Sequence, residues 1–138
     1  MASDKPEALR NQEIALPTIL LVEDDVGVSE VLTQFIELAT PYAVLAAPDA
    51  AQAFQMIDTA RPSLFLLDYQ LPEMNGLELS DRLHAIKELE AVPTLMISAT
   101  SPSRQAMQQR HISFLRKPFD LSDFFEAIDK LLSPRAGD

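Results

Sequence analysis

The sequence has no cysteine, so disulfides, thiolate nucleophiles and zinc–thiolate centres are excluded outright. It also lacks any apolar stretch approaching the roughly 20 residues that a membrane-spanning helix needs. Its opening, MASDKPEALRNQEIALP, has no apolar core of the kind that marks a secretion signal. These absences make the cytoplasm the expected location, with no membrane contact. Positive charge is scarce: 11 Lys and Arg stand against 21 Asp and Glu, for a formal net charge of −10. Non-specific binding of nucleic acid depends on neutralising phosphates, so no direct nucleic-acid contact is expected. The balance reverses locally. No acidic residue falls between Glu90 and Asp120, a window that holds Arg104, Arg110, Arg116 and Lys117. Lys117 aside, those arginines form either a basic patch that steers an acidic partner surface or scattered solvated charges.

What is present is the material of one globular domain: 138 residues, 47% hydrophobic and 23% charged. Residues 1–16 are polar and read as a mobile tail. From Thr18 two textures alternate. TILLV (18–22), YAVLAA (42–47), SLFLL (63–67), TLMIS (94–98) and ISFL (112–115) are short apolar runs, as expected of strands covered on both faces. Between them lie stripes at helical spacing. Val28, Val31, Leu32, Phe35 and Ile36 make the first, ending before Pro41. Ala50, Ala53, Phe54 and Ile57 make the second, with Asp49 as N-cap. Leu77, Leu79, Leu83 and Ile86 make a third after Gly76, and residues 103–110 a short, weakly apolar fourth. Leu121, Phe124, Phe125, Ile128, Leu131 and Leu132 make the clearest, with Asp120 in capping position. Five strands alternating with five helices predict a parallel α/β sheet with right-handed crossovers.

Sheets of this kind bind ligands beyond the carboxyl ends of their strands. The first run ends in Glu23, Asp24 and Asp25, the third in Asp68, the fourth in Ser98, and the fifth leads into Lys117 and Pro118. If those four strands are neighbours, carboxylates, a hydroxyl and an ammonium share one rim. Two unit charges ~4 Å apart at an effective dielectric near 20 cost about 4 kcal/mol, so protons or a cation must relieve the crowding. Hard oxygen donors without nearby His or Cys favour Mg²⁺, or Mn²⁺ in its place. A lysine supplies a fixed point charge for a phosphoryl group. The set fits the movement of phosphate onto a carboxylate. Asp25 is open to two readings, as one of that set or as the N-cap of the following helix. Asp68 is less easily a cap, because Pro72 and Gly76 shape a loop after it.

ILLVEDD, LFLLDYQLPEMNGLEL, TLMISA and FLRKPFD, in that order, resemble the receiver domain of bacterial two-component response regulators, over about residues 17–134. The resemblance implies a flavodoxin-like doubly wound (βα)5 sandwich with a five-stranded parallel sheet of order 2-1-3-4-5. It implies that Asp68 is the phosphoacceptor, taking a phosphoryl group from a histidine of a sensor kinase or a histidine phosphotransfer protein. Asp24 would ligate the metal directly and Glu23 through water, with Asp68 and the Gln70 backbone carbonyl completing the set. Lys117 would pair with the phosphoryl oxygens, beside a cis bond to Pro118. Ser98 and Phe114 match the switch hydroxyl and switch aromatic. Gln70 and Thr100 match the positions that tune the lifetime of the phosphoryl group. The output face would be the fourth helix, fifth strand and fifth helix.

The sequence departs from that pattern in places. Ser98 lacks the methyl of the more usual Thr, and Phe114 lacks a tyrosine's hydroxyl. The stretch from Ser98 to Lys117 is short and has no Ala-Gly pair before the fifth strand, so a short or irregular fourth helix is expected. Only SPRAGD follows Leu132, which suggests a stand-alone receiver with a brief tail at 135–138, a switch rather than an enzyme. His84 and His111 are expected at the surface or in caps, not as phosphoacceptors. Two rival readings are a receiver fold used as a phosphorylation-independent binding module and a haloacid-dehalogenase-like phosphatase. The latter wants a second acid two residues after the nucleophile, where Gln70 stands.

Overall fold

Continuous apolar runs can serve as strands only if both faces of the sheet are covered. In the computed structural model, which describes residues 17–132, that condition holds for the three central strands. β1 (Thr18–Val22), β3 (Leu64–Asp68) and β4 (Thr94–Ser98) are buried almost throughout. β2 (Ala43–Ala47) and β5 (Ser113–Arg116) are the edges and are partly exposed. All neighbours pair in parallel, in the order β2-β1-β3-β4-β5. This is the flavodoxin-like arrangement that the resemblance implies. The expected tails, 1–16 and 135–138, lie outside the described residues.

Among the described residues five α-helices cover the sheet: α1 (Val26–Ala39), α2 (Ala50–Met56), α3 (Gly76–His84), α4 (Arg104–Gln109) and α5 (Leu121–Leu132). Strand alternation sorts the apolar side chains into two cores. Ile19, Leu21, Leu64, Leu66, Leu95 and Ile97 pack with Leu32 and Ile36 of α1 and Phe124 and Ile128 of α5. Leu20, Val22, Phe65, Leu67 and Met96 pack on the other side with α2, Leu79 and Leu83 of α3, and Met107 of α4.

Several boundaries differ from the sequence reading, each for a local reason. Tyr42 is not in β2; it is buried and its hydroxyl donates to Asp129 Oδ1 of α5 at 3.2 Å. β3 runs one residue further, so Asp68 is itself the last strand residue. The apolar stripe of α1 is narrower than its spacing suggests: Leu32 and Ile36 are buried, while Val31 is 47% exposed. α3 stops at His84, and a 3-10 turn at Lys87–Leu89 follows.

His84 is also not the surface residue that its charged surroundings suggest. Its half-buried ring meets Phe65 edge-on at 5.3 Å between centroids. Nδ1 lies 2.8 Å from the Ser80 carbonyl and Nε2 2.8 Å from the Val92 carbonyl. The ring therefore ties the end of α3 to the chain leading into β4.

The fourth helix is short, six residues, and its end explains the missing Ala-Gly pair. The Ile112 N–H donates to the Met107 carbonyl at 2.9 Å, and the His111 N–H donates to the Gln108 carbonyl at 3.1 Å. That is a Schellman motif, closed by the apolar side chains of Met107 and Ile112, which share one core. It puts His111 at the left-handed position with φ 57°, where glycine is the usual residue. Ile112 thus belongs to the cap and β5 starts at Ser113. Relief of the left-handed backbone, about 1–2 kcal/mol, outweighs the added chain entropy of glycine, about 0.4–1 kcal/mol. His111→Gly should therefore raise stability by roughly 0.5–1 kcal/mol, read as a higher urea midpoint at unchanged slope.

Candidate functional site

Parallel strands put all their carboxyl ends on one rim, and the side chains expected to share a site do meet there. Glu23, Asp24 and Asp68 each offer a carboxylate oxygen, all within 4.8 Å of one another. Glu23 and Asp68 are buried, and Asp24 is exposed. Asp25 leaves this group. Its Oδ1 accepts the Val28 N–H at 3.0 Å, so it is the N-cap of α1. Of the two readings of Asp25, the cap is the one observed.

Lys117 answers the carboxylates. Its Nζ donates to Glu23 Oε1 at 3.1 Å and lies 3.6 Å from Asp68 Oδ2. The backbone places it there. The Lys117 N–H donates to the Ser98 carbonyl at 2.8 Å, continuing the β4–β5 ladder past its last strand residue, and the bond to Pro118 is cis. Glu23 Oε2 accepts the Asp25 N–H at 3.1 Å, so both of its oxygens are engaged. Burial pushes the Glu23 carboxyl up from 4.5 to about 7, and the charge of Asp68 adds to this. The Asp25 N–H and the Lys117 ammonium act in the opposite sense.

Asp68 is fixed from behind and from the side. Its Oδ1 accepts the Gln70 N–H at 3.1 Å, which leaves Oδ2 turned toward Lys117. Gly76 then lets α3 start close against the strand end, with its N–H donating to the Tyr69 carbonyl at 2.8 Å. A Cβ there would lie 2.8 Å from the Asp68 carbonyl oxygen and 3.0 Å from Tyr69 Cα, and would collide with the Met96 sulfur. Asn75 and Glu78 form a reciprocal capping box at the same turn, at 2.9 and 3.2 Å. The Asn-x-x-Glu spacing carried that signal, although the sequence reading passed over it.

Ser98 is fully buried at the end of β4. Its Oγ accepts the Thr100 N–H at 3.1 Å and lies 3.1 Å from Thr100 Oγ1. Phe114 pairs with Met96 and Arg116 with Ser98 across β4 and β5, so Ser98 and Phe114 lie on the same face of the sheet. Phe114 is half-buried against the α2–α3–α4 core. The Gln70 and Thr100 side chains are exposed beside the rim. The basic window is partly spoken for. Arg110 clasps Asp81 of α3 with two bonds of 2.8 and 3.0 Å, and Arg116 Nη1 donates to Ser101 Oγ at 2.9 Å.

A response regulator receiver domain family model matches residues 19–129. The chain is 33% identical over 118 residues to the transcriptional regulatory protein CrdR of Helicobacter pylori, covering 83% of this chain and 54% of that protein. It is 35% identical over 106 residues to protein-glutamate methylesterase/protein-glutamine glutaminase 1 of Dechloromonas aromatica, covering 72% of this chain and 29% of that protein. The chain thus spans about half of the first relative and less of the second. Among solved structures, the non-phosphorylated HemR receiver domain of Leptospira biflexa aligns with TM-score 0.76 at 30% identity, covering 86% of this chain and 96% of that one. Chemotaxis protein CheY4 of Vibrio cholerae shares the fold, with TM-score 0.79 at 21% identity, covering 86% of this chain and all of that one.

Two outcomes follow from the site's geometry. Gly76→Ala should cost about 1–3 kcal/mol in urea unfolding, because backbone as well as the Met96 side chain must give way; a cost near zero would contradict the close approach. The second concerns pH. A carboxyl whose value is raised in the fold keeps a proton that the unfolded chain has lost. Its contribution to stability is greatest below 4.5 and is lost as pH rises to about 7. Metal-free protein should therefore melt at lower temperature across that window, and Glu23→Gln should flatten this part of the profile.

Proposed function

Because the chain belongs to the response regulator receiver domain family, we propose that it is a phosphorylation-activated signalling switch with Asp68 as phosphoacceptor. One arrangement carries this reading: a buried carboxylate ends the central strand, with one oxygen held by a backbone N–H and the other 3.6 Å from an ammonium. A nucleophile so positioned needs little reorganisation to meet a phosphoryl group. The donor is a histidine of a sensor kinase or of a histidine phosphotransfer protein. Asp68 Oδ2 bonds to phosphorus while the donor's N–P bond breaks and the imidazole leaves. Lys117, already between Glu23 and Asp68, faces the phosphoryl oxygens and offsets their charge.

The carboxylate set fits a hard divalent cation, since it offers oxygen donors alone, clustered within 4.8 Å. Asp24, Asp68 and the Gln70 backbone carbonyl would hold Mg²⁺ or Mn²⁺, with Glu23 reaching it through water. When bound, that ion supplies charge neutralisation at the phosphoryl oxygens.

The receiver runs over residues 17–134 and works in the cytoplasm. Phosphorylation adds about −1.5 to −2 charge and new acceptor oxygens at the rim. Ser98 turns toward them, Phe114 follows, and the face formed by α4, β5 and α5 changes for a partner protein. A groove of about 330 Å³ between β5 and α5, lined by Leu95, Phe114, Glu126, Ala127 and Leu131 among others, lies on that face. With Arg110 clasped by Asp81, steering of an acidic partner falls to Arg104 and Arg116. The protein acts as a switch; its only chemistry is its own phosphorylation and the slow hydrolysis that follows. Gln70 and Thr100 set the pace of that hydrolysis.

Incubation with acetyl phosphate and Mg²⁺ should add one phosphoryl mass, and Asp68→Asn should abolish it. After desalting, the added mass should decay at a different rate in Gln70→Ala. If intact, folded protein gains no mass, a phosphorylation-independent binding module becomes the better reading.

A further inference from the structure

The hydroxyl of Ser98 is already committed, and the geometry gives the direction of the bond. Oγ accepts the Thr100 N–H at 3.1 Å and lies 3.1 Å from Thr100 Oγ1, where either oxygen could donate. If Thr100 donated, the Ser98 proton would be left without an acceptor in a residue that is 0% exposed. A buried donor left unpaired costs about 1–3 kcal/mol. Thr100, by contrast, is exposed and can send its own proton to water. Among the described residues no other acceptor serves the Ser98 hydroxyl. The Ser98 proton therefore rests on Thr100 Oγ1.

We propose that Thr100 is a positioning residue that holds the Ser98 proton away from the acceptor site, so that a phosphoryl group on Asp68 must displace Thr100 to receive it. This rests on the reading of Asp68 as phosphoacceptor. It goes beyond a role for Thr100 in the lifetime of the phosphoryl group, because it concerns the balance between the resting and phosphorylated arrangements. The latch has two strands of differing origin. The backbone N–H bond survives any side-chain exchange, whereas the hydroxyl–hydroxyl bond depends on the residue at 100. The loop that carries the latch is pinned separately by Arg116 through Ser101, at 2.9 Å. Loss of the Thr100 hydroxyl thus frees the Ser98 proton without releasing the loop.

Beryllium fluoride with Mg²⁺, which mimics a phosphoryl group on a carboxylate, tests this by calorimetric titration of the whole chain. Thr100→Val keeps the shape and removes the acceptor, and should tighten beryllium fluoride binding about fivefold or more, the cost of leaving the buried Ser98 donor unpaired in the resting state. Thr100→Ser restores the acceptor and should bind as the parent does. In a Ser98→Ala background, Thr100→Val should change nothing, since there is no proton left to release. Unchanged affinity in Thr100→Val, or an equal gain with Ser98 absent, overturns the latch while leaving Asp68 as acceptor. A parent protein that binds no beryllium fluoride overturns the acceptor reading and the latch with it.

Discussion

Everything at the rim turns on the crowding of Glu23, Asp24 and Asp68 within 4.8 Å, relieved on one side by the Lys117 ammonium. Like charges ~4 Å apart repel by about 4 kcal/mol at an effective dielectric near 20 and by about 1 kcal/mol in bulk water. The fold relieves part of that through the Lys117 ammonium, which donates to Glu23, while burial pushes the Glu23 carboxyl up to about 7. What remains is an unmet demand for positive charge on the open side of Asp68, where Asp24 is exposed. A cluster of oxygen donors in that condition could hold a hard metal ion.

Such crowding is tolerable only if the carboxylates cannot drift apart, and the packing sees to this. β3 lies between β1 and β4 and is buried at every position, so Asp68 cannot be withdrawn without opening both cores. Gly76 brings α3 directly against the strand end, where any side chain would push the Asp68 carbonyl away. The opposite character holds on the β4–β5 side. α4 is a six-residue helix, tied down by the Arg110–Asp81 clasp, the Met107–Ile112 cap and the Arg116–Ser101 bond. The site thus has one wall buried in both cores, on the β3 side, and another, on the β4–β5 side, held by a short helix, a cap and side-chain bonds.

Much of this was legible from patterns with a period. The continuous apolar runs named all five strands to within a residue at each end, and the order of the sheet followed from the resemblance. That Glu23, Asp24, Asp68 and Lys117 meet was legible because each stands at or just past the end of an apolar run, and parallel strands bring such positions together. Other residues were not legible, since their roles depend on a partner distant in sequence. His84 looked like a surface residue of a charged helix, yet its ring reaches the carbonyl of Val92, eight residues on. Arg110 could be read as part of a basic patch or as a solvated charge, and neither reading shows Asp81, 29 residues away, in its fork. Val31 fitted the apolar stripe of α1 but falls outside the arc that meets the sheet.

The sequence by itself determined the strand and helix alternation, the two-sided burial of the central strands and the acidic and basic residues at their ends. Local spacing carries that information, and it needs no knowledge of what lies opposite. Only the tertiary structure decided that Asp25 caps α1 while Asp24 stays in the acidic group, that Asp68 turns one oxygen to Lys117, and that the Ser98 hydroxyl meets that of Thr100. Those outcomes are choices among partners that are nearly equal in sequence terms. They depend on which groups the fold brings within hydrogen-bond reach and which it takes out of water.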